Sequence, residues 1–306
     1  MSDVSIVIRT LNEERYLGEL LAAISTQRLG DELSSCDVVI IDSGSTDQTL
    51  TIAEKFGCQI GRIEKSDFTF GRSLNMGCEL ASGNILVFLS GHCIPAGHLW
   101  LQNLTGPICQ GLVEYSYGRQ VGRTPTKFSE NELFKKYYPD TSRVPQDGFF
   151  VNNANSAILK DAWAKLKFDE DLTGLEDMDL AKRLQVSGGK VGYCAEASVF
   201  HIHDETWKQT QRRYERESYA LQSIMPEVHV SLWDVVRYVT AGVLHDAVSA
   251  WNKGVLLREI IGIVRFRVAQ FSGTYKGNHL HREISRQKKE TYFYPKPFVD
   301  LYRHEE

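Results

Sequence analysis

Short unbroken apolar runs, each closed by a polar turn, recur through the first two thirds of the chain. Val4 to Ile8, Val38 to Ile41 and Ile85 to Leu89 are of this kind. Such runs predict strands buried on both faces of a parallel sheet. Between them, apolar residues recur at helical spacing: Tyr16, Leu17, Leu20, Leu21 and Ile24, then Ile52, Ala53 and Phe56, then Leu74, Cys78 and Ala81. Each set predicts an amphipathic helix with that stripe turned inward. Residues 58–63 add a strand. Strand and helix in alternation predict an α/β fold, a mostly parallel sheet with right-handed crossovers. Pro95 is expected to stop pairing after the central strand.

Beyond residue 100 the pattern predicts a strand over 115–121, a short helix around 130–137 within a proline-bearing polar excursion, and helices from Asp161 and over 178–187. A last strand over 190–199 precedes a helix from Trp207. From Pro226 the character changes. Leu232, Val235, Val236, Val239, Val243 and Ala247 form one helical stripe, and Leu256, Ile260, Ile261, Ile263, Val264, Phe266 and Val268 a second. The organisation expected is a main α/β domain over 1–225 and a C-terminal helical extension over 226–306.

With 306 residues and 42% hydrophobic content, the chain is long enough for such a domain and its appendage. The 35 Lys and Arg against 39 Asp and Glu give a net charge of -4 and argue against nucleic acid as a partner. Six cysteines without a C-x-x-C pair fit a reducing compartment. The opening lacks a signal-peptide pattern, and no apolar run reaches spanning length. The expectation is a cytoplasmic protein, peripheral at most on the inner face of the cell membrane. Between Lys253 and Glu290, nine Lys/Arg face three Asp/Glu, and Tyr292, Phe293 and Tyr294 follow. The extension therefore reads either as a layer packed on the main domain or a twin subunit, or as a basic amphipathic surface on a membrane.

The candidate chemistry lies where strands end, because open α/β sheets bind ligands at their carboxyl edge. Ser90-Gly91-His92 closes the central strand. It is a plain turn or a site with one good metal ligand. Asp42 ends the second strand, where a buried carboxylate needs a partner such as a ribose hydroxyl. Ser45, Thr46 and Asp47 suit the cap and first turn of the next helix. No G-x-G-x-x-G is present, so the sheet reads as nucleotide-binding without the dinucleotide fingerprint. Arg72 is a surface arginine or a forked clamp for a diphosphate. Asn152, Asn153 and Asn155 interrupt a strand-like run, as a turn or as an amide wall for sugar hydroxyls. Residues 169–179 hold six acids, of which Glu176 and Asp177 fall in the first turn of a helix. His201 and His203, at i and i+2 on an extended segment, face one way and can join His92 around a metal.

In this order the motifs resemble the family 2 glycosyltransferases of GT-A fold. The resemblance rests on Thr10-Leu11-Asn12-Glu13 after the first strand, Ile40-Ile41-Asp42-Ser43-Gly44-Ser45-Thr46-Asp47, Arg72 with Asn75, the central strand with its tripeptide, and Gly174-Leu175-Glu176-Asp177. It covers roughly residues 3–217, and the stretch 68–75 is also similar to bacterial rhamnosyltransferases. It implies inverting transfer from a nucleotide-sugar donor to a glycan or lipid-linked acceptor in surface polysaccharide assembly. It implies a donor nucleotide held by Thr10, Asn12, Glu13, Asp42, Ser43, Arg72, Asn75, Ser90 and Gly91. Asp177, with Glu176 next, would take the acceptor proton, and Trp207 would join the three asparagines against the sugar or acceptor.

The family's Asp-x-Asp is replaced here by Ser90-Gly91-His92. A divalent metal, Mn²⁺ or Mg²⁺, is implied by the resemblance, yet imidazole suits Mn²⁺ or softer ions better than Mg²⁺. Two rivals follow. A catalytically inactive nucleotide-sugar-binding scaffold fits the lost carboxylates, and a nucleotidyltransferase shares this kind of sheet.

Overall fold

The computed structural model describes residues 2–280; the aromatic cluster after Glu290 lies outside them. The chain begins with β1 (Ser2–Thr10), α1 (Glu14–Ser25), β2 (Leu33–Asp42), α2 (Thr49–Lys55), β3 (Gln59–Arg62), α3 (Phe70–Leu80) and β4 (Ile85–Ser90). Then come β5 (Cys93–Pro95), α4 (Trp100–Cys109), β6 (Tyr115–Gly122), α5 (Phe128–Tyr137), β7 (Asn155–Leu159), α6 (Lys160–Leu166), α7 (Glu176–Val186) and β8 (Val191–His201). Three helices close the described chain: α8 (Trp207–Ile224), α9 (Leu232–Asn252) and α10 (Leu256–His279).

The strands form one eight-stranded sheet in the order β3-β2-β1-β4-β7-β6-β8-β5. The first four are mutually parallel, as alternation with helices dictates. β7 runs antiparallel to both β4 and β6, so the sheet is mixed beyond its centre. β1 shows why continuous apolar runs are needed here. Val4, Ile6 and Ile8 pack on one side with α1 and α4, whereas Val7 packs on the other with α3. Gly77 permits the close approach of α3, because a Cβ there would run into Val7.

Three expectations change. Pro95 does not end pairing; it sits in β5, at the sheet edge opposite Val199, where a proline without an N–H is tolerated. Phe56 is 45% exposed rather than inward, because α2 ends at Lys55. Ser45 and Thr46 do not cap α2; the Asp47 carboxylate accepts from the Thr49 amide at 3.0 Å instead.

α10 packs along α8 and meets its backbone directly at two glycines. A Cβ at Gly273 would fall on the carbonyl oxygen of Gln211, and one at Gly277 on that of Glu215. α9 is tied to α10 by a buried pair, Arg267 to Asp246 at 2.8 Å through both nitrogens and both oxygens. It is tied to α5 by Ser249 and Lys253, which both reach Glu132.

Candidate active site

The register of β1 assembles the first part of the site. It sets Thr10 beside Asp42 and Arg9 beside Ser90, all at the carboxyl edge. The Asp42 carboxylate finds its partners within the loop it begins. Oδ1 accepts from the amides of Gly44 and Ser45 at 2.9 Å, and Oδ2 from the hydroxyls of Thr10 at 3.0 Å and Ser45 at 2.5 Å. The burial cost that pointed to a ligand is therefore met by the protein itself. Ser43 turns its hydroxyl back to the Thr10 carbonyl at 3.1 Å. Asn12, at φ 57°, clips the two loops together: its amide donates to Ser45 Oγ and its Oδ1 accepts from the Thr46 amide, both at 2.8 Å.

The second part is a cluster of three imidazoles. His92 follows β4, His201 ends β8, and His203 lies two residues beyond. One ring nitrogen from each falls within 4.8 Å of the others. Each Nδ1 is already engaged. His92 meets Glu13 Oε1 at 3.0 Å, His201 meets Gln120 Oε1 at 2.7 Å, and His203 meets Glu130 Oε1 at 2.6 Å. Carboxylate or amide oxygens behind the Nδ1 atoms leave Nε2 as the free ligand, the usual outer arrangement of imidazole metal sites. Gly91 makes room for this, since a Cβ there would press to 2.9 Å on the Glu13 side chain. Burial lowers the affinity of His92 for protons, but the charge and hydrogen bond of Glu13 outweigh it and raise the pKa. Burial and the neighbouring His203 push His201 well down, so it is neutral and free to ligate.

Behind His203 lies an ionic anchor. Arg213 of α8 pairs with both Glu130 and Glu205. Burial would raise the Glu130 pKa, yet His203 and Arg213 bring it down to about 2. Glu130, His203 and Glu205 also lie within 4.8 Å of one another, but Arg213 already supplies the positive charge there.

The third part is the carboxylate pair that opens α7. Leu175, in the left-handed region at φ 58°, turns the chain so that both acids enter the protein. Asp177 is 6% exposed, with Oδ2 accepting from the Asn153 amide and Oδ1 from the Met178 amide, each at 2.8 Å. Burial first, and the Glu176 charge second, push its pKa up to about 7. Arg9 reaches Glu176 at 3.6 Å and lies over the Phe70 ring at 4.6 Å, with Arg216 also 4.6 Å from that ring. The charge of Arg9 is felt by Glu176 and Asp177 on one side and by His92 on the other, so this arginine links the carboxylates electrostatically to the histidine cluster. The Arg216 Nε and the Asn153 Nδ2 are buried with no hydrogen-bond partner among the described residues.

Other expected site residues are placed differently. Arg72 pairs with Glu170 at 2.8 Å and donates to the Asp67 carbonyl, rather than standing free for a diphosphate. The Asn75 amide is wholly used inside, with Trp163, Phe168 and Glu170 as partners. Asn155 is fully buried between Trp100, Arg119 and Ala197. Asn152 accepts from Gln120 at 3.0 Å, and Trp207 packs under the Lys127 ammonium. Sequence reasoning missed Arg9 and Arg216. For Arg9 the signal was present: a cation at the end of a buried strand, one residue before Thr10.

The whole architecture resembles that of a solved mannosyltransferase, PcManGT from Pyrobaculum calidifontis, in complex with GDP-Man and Mn²⁺. The TM-score is 0.61 with 15% identity, over 90% of this chain and 86% of that one. The protein thus has the GT-A type of fold found in nucleotide-sugar transferases. It belongs to glycosyl transferase family 2, whose model matches residues 5–165. Relatives include the O-antigen chain rhamnosyltransferase RfbN of Salmonella typhimurium, 26% identical over 224 residues, which are 69% of this chain and 70% of RfbN. The O-antigen chain rhamnosyltransferase WbaN of Salmonella anatum is 30% identical over 188 residues, 58% of this chain and 60% of WbaN.

Proposed function

We propose that this glycosyltransferase moves a sugar, a deoxyhexose of the rhamnose type, from its nucleoside diphosphate to a glycan or lipid-linked acceptor in surface polysaccharide assembly. The observation that carries the reading is Asp177. It is a buried carboxylate held by two backbone amides, with a pKa of about 7, within the electrostatic reach of Arg9.

The reaction is a single displacement with inversion. The acceptor oxygen attacks the anomeric carbon, a new C–O bond forms, and the bond to the diphosphate oxygen breaks. The acceptor proton passes to the Asp177 carboxylate, whose raised pKa suits it to a general base near neutral pH. The nucleoside diphosphate departs with the bonding electrons. Arg9 and Arg216 supply positive charge at the Phe70 ring, Arg9 also pairing with Glu176 beside the base. Asn153 fixes Asp177 through its backbone and keeps one amide donor free for a sugar hydroxyl.

His92, His201 and His203 fit a divalent cation, each with Nδ1 held from behind and the Nε2 atoms of His201 and His203 turned towards one another. Such an ion supplies positive charge to the departing diphosphate. Thr10, Asn12 and Asp42 form the floor for the nucleoside, a rigid loop pair rather than a set of unsatisfied groups waiting for one.

Calorimetric titration of UDP, GDP, CDP and dTDP, first with EDTA and then with Mn²⁺ or Mg²⁺, tests the reading. Binding of one nucleotide, strengthened by the metal, is expected. Failure of all four to bind would overturn it, and binding without turnover of any donor would favour the inactive scaffold.

A further inference from the structure

Exposed apolar side chains on α9 and α10 fall on the sides turned away from the protein. On α9 the packed positions are Asp246 and Ala250, both fully buried. About half a turn round, Trp233 (75% exposed), Leu244, Val248 and Trp251 (72% exposed) form a stripe along the whole helix. At 1.5 Å per residue the two tryptophans stand roughly 27 Å apart on that stripe. On α10, Ile263 and Phe266 are buried, whereas Leu257, Ile261, Val264 and Val268 are exposed at intervals of a helical turn. Stripes of this extent, unlike scattered single residues, mark a surface that meets something.

Charge decides what. The exposed charged side chains of α9, α10 and their connection are Arg237, Lys253, Arg258, Arg265 and Lys276. The acids of the same stretch are withdrawn. Asp246 is buried against Arg267, Asp234 bonds to Ser231 at the start of α9, and Glu259 is partly covered beside Arg258. Arg237, Arg258 and Lys253 each keep an ion pair, yet the outward face presents cations around an apolar strip. The whole chain, by contrast, carries a net charge of -4. A second copy of this face would set like charges against each other. An anionic lipid surface meets both features at once, taking the apolar strip into its headgroup boundary and its cations onto phosphates. No described helix is long and apolar enough to cross a membrane, so contact would be along the surface.

We infer that the α9–α10 face docks the enzyme flat on an anionic bilayer. The inference is independent of the sugar chemistry proposed above, and its test needs no substrate. Full-length protein is mixed with vesicles of phosphatidylcholine containing about one third phosphatidylglycerol, and sedimentation is compared with pure phosphatidylcholine vesicles. Binding to the anionic vesicles is expected to be at least about tenfold tighter and to weaken as salt rises. Trp233→Ser with Trp251→Ser is expected to lower it about tenfold, as is Arg237→Glu with Arg265→Glu. All four positions are exposed, and circular dichroism confirms that the variants fold. Equal binding by wild type and both variants, or no binding to anionic vesicles, would overturn the inference. So would a wild-type dimer in light scattering that the tryptophan variant converts to monomers, which would assign the face to a second copy.

Discussion

The rings of His201 and His203 meet Nε2 to Nε2 at 2.8 Å. Gln120 and Glu130 occupy the two Nδ1 atoms with oxygens, so both protons of the neutral rings belong on Nδ1. Two lone pairs would then point at one another. A proton or a metal ion between them removes the conflict, and His92 stands ready as a third donor.

Metal binding should therefore follow imidazole chemistry. Mn²⁺, Co²⁺ or Zn²⁺ is expected to bind far more tightly than Mg²⁺ in calorimetry without nucleotide. His92→Ala should abolish the tight phase. Glu13→Gln, which leaves all three rings in place, should weaken it by about 10–100-fold. Equal affinity for Mg²⁺ and Mn²⁺ in the wild type would remove the histidines as ligands.

The Asp177 pKa of about 7 has a kinetic signature. A base must be ionised, so kcat/KM should rise with pH up to about 7 and level off above it. Asp177→Asn should cost about 10²–10⁴ in rate while donor binding persists. Glu176→Gln removes a negative neighbour that disfavours ionisation, so the limb should move to lower pH. A limb that stays put in that variant would separate the base from Asp177.

Arg216 and Arg72 should behave differently. Arg216→Met removes a cation whose buried Nε has no partner among the described residues and should raise the donor KM by about tenfold, one forked contact's worth. Arg72→Met breaks an exposed pair with Glu170 and should leave KM within twofold and stability within about 1 kcal/mol. Steady-state kinetics on the pair settles which arginine meets the diphosphate.

Glu130 ties acid stability to the site. Its pKa lies at about 2 in the fold against 4.5 for the free side chain. Its stabilisation is complete above pH 4.5 and fades as the pH falls from there towards 2. Glu130→Gln leaves Arg213 and His203 short of a buried counter-charge and should cost about 3 kcal/mol in denaturant unfolding at neutral pH. The variant should also lose the acid-dependent part of the wild-type curve.

The continuous apolar runs made β1, β2 and β4 legible, because a strand buried on both faces has no polar alternation to blur it. The helix stripe from Leu17 to Ile24 and the two C-terminal helices were legible for the matching reason. The three histidines were legible as a group because residue type restricts what a strand edge can do with an imidazole. What spacing could not carry was the partner of each polar group. Asp42 looked unsatisfied because its donors come from Thr10, more than thirty residues away, and from backbone amides that have no letter in the sequence. Asn155 was legible as a polar interruption and Asn75 through the family motif, but their use as internal brackets depends on Trp100 and Trp163, which only the folded topology brings near. Glu13 was read with the nucleotide, and its place behind His92 was not legible because the two residues are brought together only by the fold.

The bare contact of Gly273 and Gly277 with the α8 backbone makes a joint without play. A helix interface cushioned by long side chains can slide by changing rotamers, but two peptide backbones in apposition have no rotamers to change. α8 carries Arg213 to its pairs behind His203 and Arg216 to the Phe70 ring, and α10 carries part of the outward apolar face. A shift of α10 is therefore expected to carry α8 and its arginines with it at these two points. Cutting the chain after residue 225 would remove α10 from the helix that carries these arginines, and a loss of stability in denaturant unfolding is the expected outcome.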